Sequence, residues 1–175
     1  IFMDSDHSFN LDINKTIKFI KNETKMNRGF SINKKTNKKI KAIIVVHLWG
    51  NAVKFNNLIT LCKSRNIKII EDASESIGTK INVSKNKNIH VGTIGDIGCF
   101  SFNTNKIITC GSGGAAVTNN KKYYEKLKYY STQAKDNDLF YIHNNIGYNY
   151  RLNNLNAAVG CAQFEKFDKI LNKKE

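Results

Sequence analysis

Residues 42–75 read AIIVVHLWGNAVKFNNLITLCKSRNIKIIEDASE, and this stretch decides the fold. Ala42-Ile43-Ile44-Val45-Val46 is a continuous, mostly β-branched run of the kind that forms buried parallel strands. It ends at His47-Leu48-Trp49-Gly50. A helix is predicted next, with Phe55, Leu58, Ile59 and Cys62 on one side. Ile67-Lys68-Ile69-Ile70 is a second buried strand, and Glu71-Asp72 sit at its carboxyl end. Strand, helix and strand in this order make a βαβ unit, whose right-handed crossover sets the strands parallel. The predicted class is α/β, with a mostly parallel central sheet flanked by helices. In such sheets ligands gather beyond the carboxyl ends of the strands.

A second stretch extends the pattern. Residues 96–115 read DIGCFSFNTNKIITCGSGGA. The run Ile97–Phe102 reads as a strand that delivers a short polar turn with one lysine, Lys106, flanked by Ile107 and Ile108. Most lysines lie on solvated faces. A partly desolvated one loses basicity, and a neutral amine attacks carbonyls. The competing reading is a loop lysine that snorkels to the surface. Gly111, Ser112, Gly113 and Gly114 follow, but a strand rather than a helix is predicted after them, Ala115 to Thr118. No helix N-terminus then faces a phosphate, and close backbone approach is the better use of these glycines. Lys106 and Asp72 are both placed at strand ends.

Other polar residues carry two readings each. Asp72 and Glu75 are three apart, so a helical turn would put both on one face; the alternative is a cap, with Asp72 bonding a backbone N–H near Glu75. His47 is a candidate ligand or base, or a histidine hydrogen-bonded in the core. His7, His47, His90 and His143 show no metal-type spacing. Tyr148-Asn149-Tyr150-Arg151 precedes a helix predicted from Asn154, for which Asn153 or Asn154 is the cap.

Ile1–Asp4 looks like a strand already under way. Asp12 caps a helix with Ile13, Ile17 and Ile20 at helical spacing and Phe19 extending the face. Residues 25–39 read as an exposed, basic hairpin or loop, residues 79–96 and 136–147 as loops, and Lys121–Tyr130 as a helix. Residues 163–175 read as a helix cut off in mid-course. The ends suggest a fragment of a longer protein.

With 28 Lys and Arg against 14 Asp and Glu, the formal net charge is +14. Arg28, Arg65 and Arg151 are the arginines, however, and nucleic-acid readers favour the arginine fork. The lysines are scattered, with one dense cluster at 34–41, so no nucleic-acid partner is expected. No apolar run is long enough to span a bilayer, and no membrane role is expected. The cysteines, Cys62, Cys99, Cys110 and Cys161, form no CxxC pair, which suits reduced thiols in a cytoplasmic protein with no metal site.

The motifs VVHLWGN (45–51), IIEDASESIGT (69–79), GDIGCFSFNTNKIITCGSGGAAVTN (95–119) and GYNYRLNNLNAAVGCAQ (147–163) together resemble the DegT–StrS family of pyridoxal-phosphate-dependent sugar aminotransferases. The resemblance covers nearly the whole chain. It is strongest to the subgroup that aminates UDP-4-keto-6-deoxy-N-acetylhexosamines on routes to bacillosamine or legionaminic acid. It implies an aspartate-aminotransferase-like large domain over residues 1–175, lacking the family's N-terminal segment and C-terminal small domain.

The resemblance also implies roles. Lys106 falls on the Schiff-base lysine that holds pyridoxal 5′-phosphate and moves protons. Asp72 falls on the carboxylate that keeps the pyridine nitrogen protonated, and Ser101 on a phosphate-binding hydroxyl. Asn149 falls on an asparagine that reaches the cofactor phosphate across a homodimer. Glu75 stands where many relatives have glutamine, and is retained as a contact to the phenolic oxygen. The implied reaction transfers an amino group, with glutamate as donor, to the 4-keto carbon of a nucleotide-linked deoxy sugar, for polysaccharide biosynthesis. Two alternatives stay open. One is the family's sugar dehydratase branch, in which a histidine replaces the lysine, so that Lys106 argues against it. The other is a non-catalytic, nucleic-acid-binding fragment acting through residues 34–41.

Overall fold

Asp12 starts the first helix: its carboxylate accepts the Lys15 N–H at 2.9 Å, and helix α1 runs Ile13–Asn22. Thr16 and Ile20 are buried, while Ile13, Ile17 and Phe19 pack partly against the core. The computed structural model describes residues 1–84, 87–137 and 139–173. They form two compact units, Ile1–Cys99 and Phe100–Glu175. Ile1–Asp4 make no strand; pairing starts with an isolated bridge between Ser5 and Leu11.

The basic excursion is a three-stranded antiparallel sheet of β1 (Thr24–Asn27), β2 (Phe30–Asn33) and β3 (Lys39–Ile40). Arg28 (φ 48°) and Gly29 (φ 78°) make its tight turn with both residues left-handed, which matches strand twist. It is not purely exposed. Ser31 is buried, and its hydroxyl donates to the Arg65 carbonyl at 3.0 Å.

Strand β4 (Ala42–Val46), helix α2 (Asn56–Ser64) and strand β5 (Lys68–Asp72) form the predicted βαβ unit. The strands are parallel, in register from Ala42↔Lys68 to Val46↔Asp72. Val45, Phe55 and Leu58 are fully buried with Ile20, Cys62, Ile67 and Ile69 around them. Each such side chain contributes roughly 1.5–3 kcal/mol of transfer free energy. The expectation of a β4 buried on both faces fails: Ile44 is 59% and Val46 38% exposed. The helices of this unit cover one face only, so β4 alternates.

Residues 79–96 do not form a simple loop. Strands β6 (Lys80–Ser84) and β7 (Lys87–His90) pair antiparallel, and residues 85 and 86 lie outside the described set. Ile81 and Val91 are buried. Strand β8 (Ile97–Ser101) then pairs parallel to β5, with Ile70↔Ile97 and Asp72↔Cys99.

In the second unit the chain leaves Phe100 and Ser101, loops, and returns as β9 (Gly114–Val117), where Phe102 N–H donates to Gly113 O at 2.9 Å. A Cβ on Gly114 would lie 2.3 Å from Phe100 O, the close backbone approach anticipated for this glycine cluster. Helix α3 (Lys121–Ser131) is capped by Asn120 and helix α4 (Asn154–Phe164) by Asn153. The expected single helix at 163–175 is broken. A separate α5 (Phe167–Leu171) follows α4, with Phe164 and Phe167 stacked at 5.8 Å. The end of that expectation, residues 174 and 175, lies outside the described residues, as does Asp138 in the 136–147 loop. No helix among the described residues is long and apolar enough to cross a membrane.

Gly98 fixes the start of β8. A Cβ there would sit 1.7 Å from the Gly92 carbonyl oxygen. Gly98→Ala is therefore expected to destabilise the protein by about 3 kcal/mol through forced backbone displacement, read as a lower urea midpoint at unchanged slope.

Candidate active site

The carboxyl ends of β4 and β5 are joined by a buried polar pair. His47 Nε2 lies 3.0 Å from Glu71 Oε2, and neither side chain is accessible to solvent. Val53 N–H donates to His47 Nδ1 at 3.1 Å, so the ring is the neutral tautomer with its proton on Nε2, aimed at the carboxylate. Glu71 also accepts Gly92 N–H at 2.8 Å on Oε2, and Ile94 and Gly95 N–H, each at 2.6 Å, on Oε1. Burial works to raise the Glu71 carboxyl. The His47 ring and then the N–H groups of Gly95, Gly92 and Ile94 outweigh it and leave the carboxyl below its ordinary range. Of the two readings of His47, the core-bonded one is what the structure shows. In sequence Glu71 is only the end of a strand, because its loop partners lie 21–24 residues further on, beyond any local pattern.

Asp72 is next on β5, and strand alternation sends it to the opposite side from Glu71. It is half-buried. Its Oδ1 accepts the Ser74 N–H at 3.0 Å and also the Ser74 hydroxyl, while Oδ2 makes no hydrogen bond among the described residues. The chain after Asp72 turns rather than entering a helix, so the expected shared helical face with Glu75 is not formed. The reason is local: Asp72 closes an Asx turn on Ser74, which diverts the backbone. Glu75 is placed instead by β4's exit, where its Oε2 accepts the Trp49 N–H at 2.9 Å. Trp49 makes this contact from a left-handed backbone (φ 53°, ψ 31°), which sequence reading did not anticipate.

The second unit carries the other expected site residues. Ser101 ends β8, and its Oγ accepts the Asn103 N–H at 3.3 Å. Lys106 is half-buried in the turn that follows, its N–H bonded to Asn103 O at 3.1 Å. Cys110 N–H to Phe102 O, 2.9 Å, closes the base of that turn. Gly111-Ser112-Gly113-Gly114 is tied to α4 by Asn156 Nδ2 to Ser112 Oγ at 3.0 Å. Asn149 is exposed, pairs as an isolated bridge with Thr132, and accepts the Arg151 N–H at 3.2 Å. The structure thus brings Asp72 and Glu75 into one turn of the first unit, and Ser101 and Lys106 into one turn of the second. Burial, with help from Asp96, pushes the Cys62 thiol up to about 11, and burial, then Asp72, raises the Cys99 thiol in β8.

The parallel β4–α2–β5 unit, with β8 paired parallel to β5 and Asp72 at a strand end, makes this an α/β protein of the expected class. The chain belongs to the DegT/DnrJ/EryC1/StrS aminotransferase family, whose model matches residues 1–175. It is 42% identical over 153 residues to a GDP-perosamine synthase of Escherichia coli O157:H7, covering 87% of this chain and 41% of that protein. Its fold is similar to Helicobacter pylori PseC, an aminotransferase involved in the biosynthesis of pseudoaminic acid, with a TM-score of 0.75 and 28% identity over 97% of this chain and 40% of that one. It is also similar to an E. coli GDP-4-keto-6-deoxy-D-mannose-3-dehydratase with bound hydrated pyridoxal phosphate, with a TM-score of 0.74 and 25% identity over 96% of this chain and 42% of that one. The chain spans about two fifths of the length of these relatives.

The sign of the Glu71 shift gives a pH test. A carboxyl held below its unfolded value of 4.5 contributes stability that is fully present above that pH and is lost as pH falls toward its folded value. Glu71→Gln is expected to flatten the acid limb of the stability curve below about pH 4.5, and Glu71→Ala to cost about 3 kcal/mol at neutral pH, both read by urea unfolding across pH.

Proposed function

We propose that the protein carrying this chain is a pyridoxal-phosphate-dependent aminotransferase acting on a nucleotide-linked 4-keto-deoxy sugar. The observation that carries this reading is Lys106, half-buried in the turn after β8, within a chain that belongs to a sugar aminotransferase family. The donor set suits the cofactor: an amine for its aldehyde, a half-buried carboxylate with an oxygen to spare for its pyridine nitrogen, and a hydroxyl for its phosphate. When bound, pyridoxal phosphate supplies an electron sink for the carbon that bears the nitrogen.

In this reading Lys106 Nζ would hold the cofactor covalently and, once released as a free amine, would move the proton at the reacting carbon. Asp72 keeps a proton on the pyridine nitrogen, because a carboxylate beside it favours the cationic form. Glu75 would contact the phenolic oxygen, Ser101 Oγ would bind the phosphate, and Asn149 would serve the phosphate of a partner subunit in a homodimer. Glutamate is the amino donor, and the protein works in the cytoplasm in polysaccharide biosynthesis. The likeness to GDP-perosamine synthase supports amination rather than dehydration, as does lysine rather than histidine at position 106. The GDP in that relative's name and the UDP sugars of the resembled subgroup agree on a nucleotide-linked sugar as the substrate class.

Adding pyridoxal phosphate to the intact protein is expected to produce a visible absorbance band that Lys106→Ala abolishes. Asp72→Ala is expected to lower turnover by on the order of 100-fold or more, by removing the charge that stabilises the reacting state. A band that persists in Lys106→Ala would refute the assignment.

A further inference from the structure

We infer that His47 is a positioning residue of the proposed cofactor site, gripping the segment Asp72–Ser76 at both ends. The inference deepens the pyridoxal phosphate reading and rests on it. His47 N–H donates to the Asp72 carbonyl at 3.0 Å, and the His47 carbonyl accepts the Ser76 hydroxyl at 2.6 Å. Asp72 and Glu75 both project from the segment between these two bonds. Both bonds use main-chain groups of His47, so their placement depends on how firmly the residue itself is held.

The ring is what keeps that backbone still. Val53 N–H holds Nδ1 and Glu71 holds Nε2–H, so the other tautomer would set a donor against a donor and a lone pair against a carboxylate, and a ring flip would set carbon against both. The fully buried Glu71 is itself fixed by Gly92, Ile94 and Gly95. A rigid frame therefore stands behind His47. Two residues on, Trp49 adopts a left-handed conformation that is strained for a bulky residue. From it, Trp49 N–H reaches Glu75 Oε2. A strained turn persists only where its surroundings over-determine it. With the anchor at 47 weakened, Trp49 relaxes, and Glu75 and Asp72 lose their fixed placement together.

The test uses the intact protein with pyridoxal phosphate as titrant. His47→Gln keeps a donor for Glu71 but loses the acceptor for Val53, and His47→Asn does the reverse. Ser76→Ala removes only the hydroxyl grip on His47 O and is the variant least prone to unfold. Each is expected to weaken cofactor affinity by on the order of tenfold, the scale of one or two hydrogen bonds. Each is also expected to shift the pH midpoint of the bound-cofactor absorbance by about half a unit, since Glu75 sets the charge beside that chromophore. Far-UV circular dichroism should stay that of the wild type. Wild-type affinity and midpoint in folded Ser76→Ala and in either His47 variant would overturn the inference, and so would an affinity loss that merely tracks the unfolded fraction. If the wild-type protein itself gives no Lys106-dependent band, the cofactor reading fails, and the positioning role fails with it.

Discussion

A carboxylate without solvent must find a donor for each oxygen, and Glu71 obliges its surroundings to supply them. Its oxygens take the His47 ring and the N–H groups of Gly92, Ile94 and Gly95. Removing one partner from so buried a charge costs several kcal/mol, so the arrangement is effectively all or none. It locks the exit of β4 and the loop before β8 onto β5. The register Asp72↔Cys99 follows, because β8 begins at Ile97, just past the clamped loop. Gly92 and Gly98 are both buried where that loop crosses the strand, with room for no side chain between them. Where the strands end is thus decided by a charge that faces away from the chemistry.

Neighbouring carboxylates on β5 divide the work. Glu71 faces inward, is fully satisfied and is structural. Asp72 faces the other way, spends Oδ1 on Ser74 and keeps Oδ2 outside any internal hydrogen bond among the described residues. Strand alternation alone separates the two roles. The same division appears at the end of β4. His47 turns its ring into the core, while Trp49, two residues on, turns its N–H to Glu75. The inner-face contacts of His47 and Glu71 hold the backbone from which Asp72 and Trp49 project.

Much of this was legible in the sequence. The apolar runs at 42–46 and 67–70 gave the parallel pair, Asp12 gave α1, and the lone lysine with its glycine cluster gave the turn before β9. What escaped was non-local or disguised. The β6–β7 hairpin is built from Lys- and Asn-rich sequence whose alternation is masked by composition. The exposure of Ile44 and Val46 depends on which elements cover the sheet, and a β-branched run does not reveal that. The Asp72–Glu75 segment reads equally well as a helix start; the Asx turn on Ser74 decides it. Glu71 was invisible because its partners come from another loop. Trp49 was missed because a left-handed tryptophan has no local signature. Of the candidate site, residue types and strand ends were readable, but the hydrogen bonds that aim them were not.

The proposed function depends on covalent attachment at one atom, the Lys106 Nζ. Borohydride reduction of the intact protein incubated with pyridoxal phosphate, followed by peptide mass spectrometry, addresses it most directly. The account predicts a phosphopyridoxyl group on Lys106, in preference to every other lysine of this Lys-rich chain. An unmodified Lys106 beside label scattered over surface lysines would contradict it.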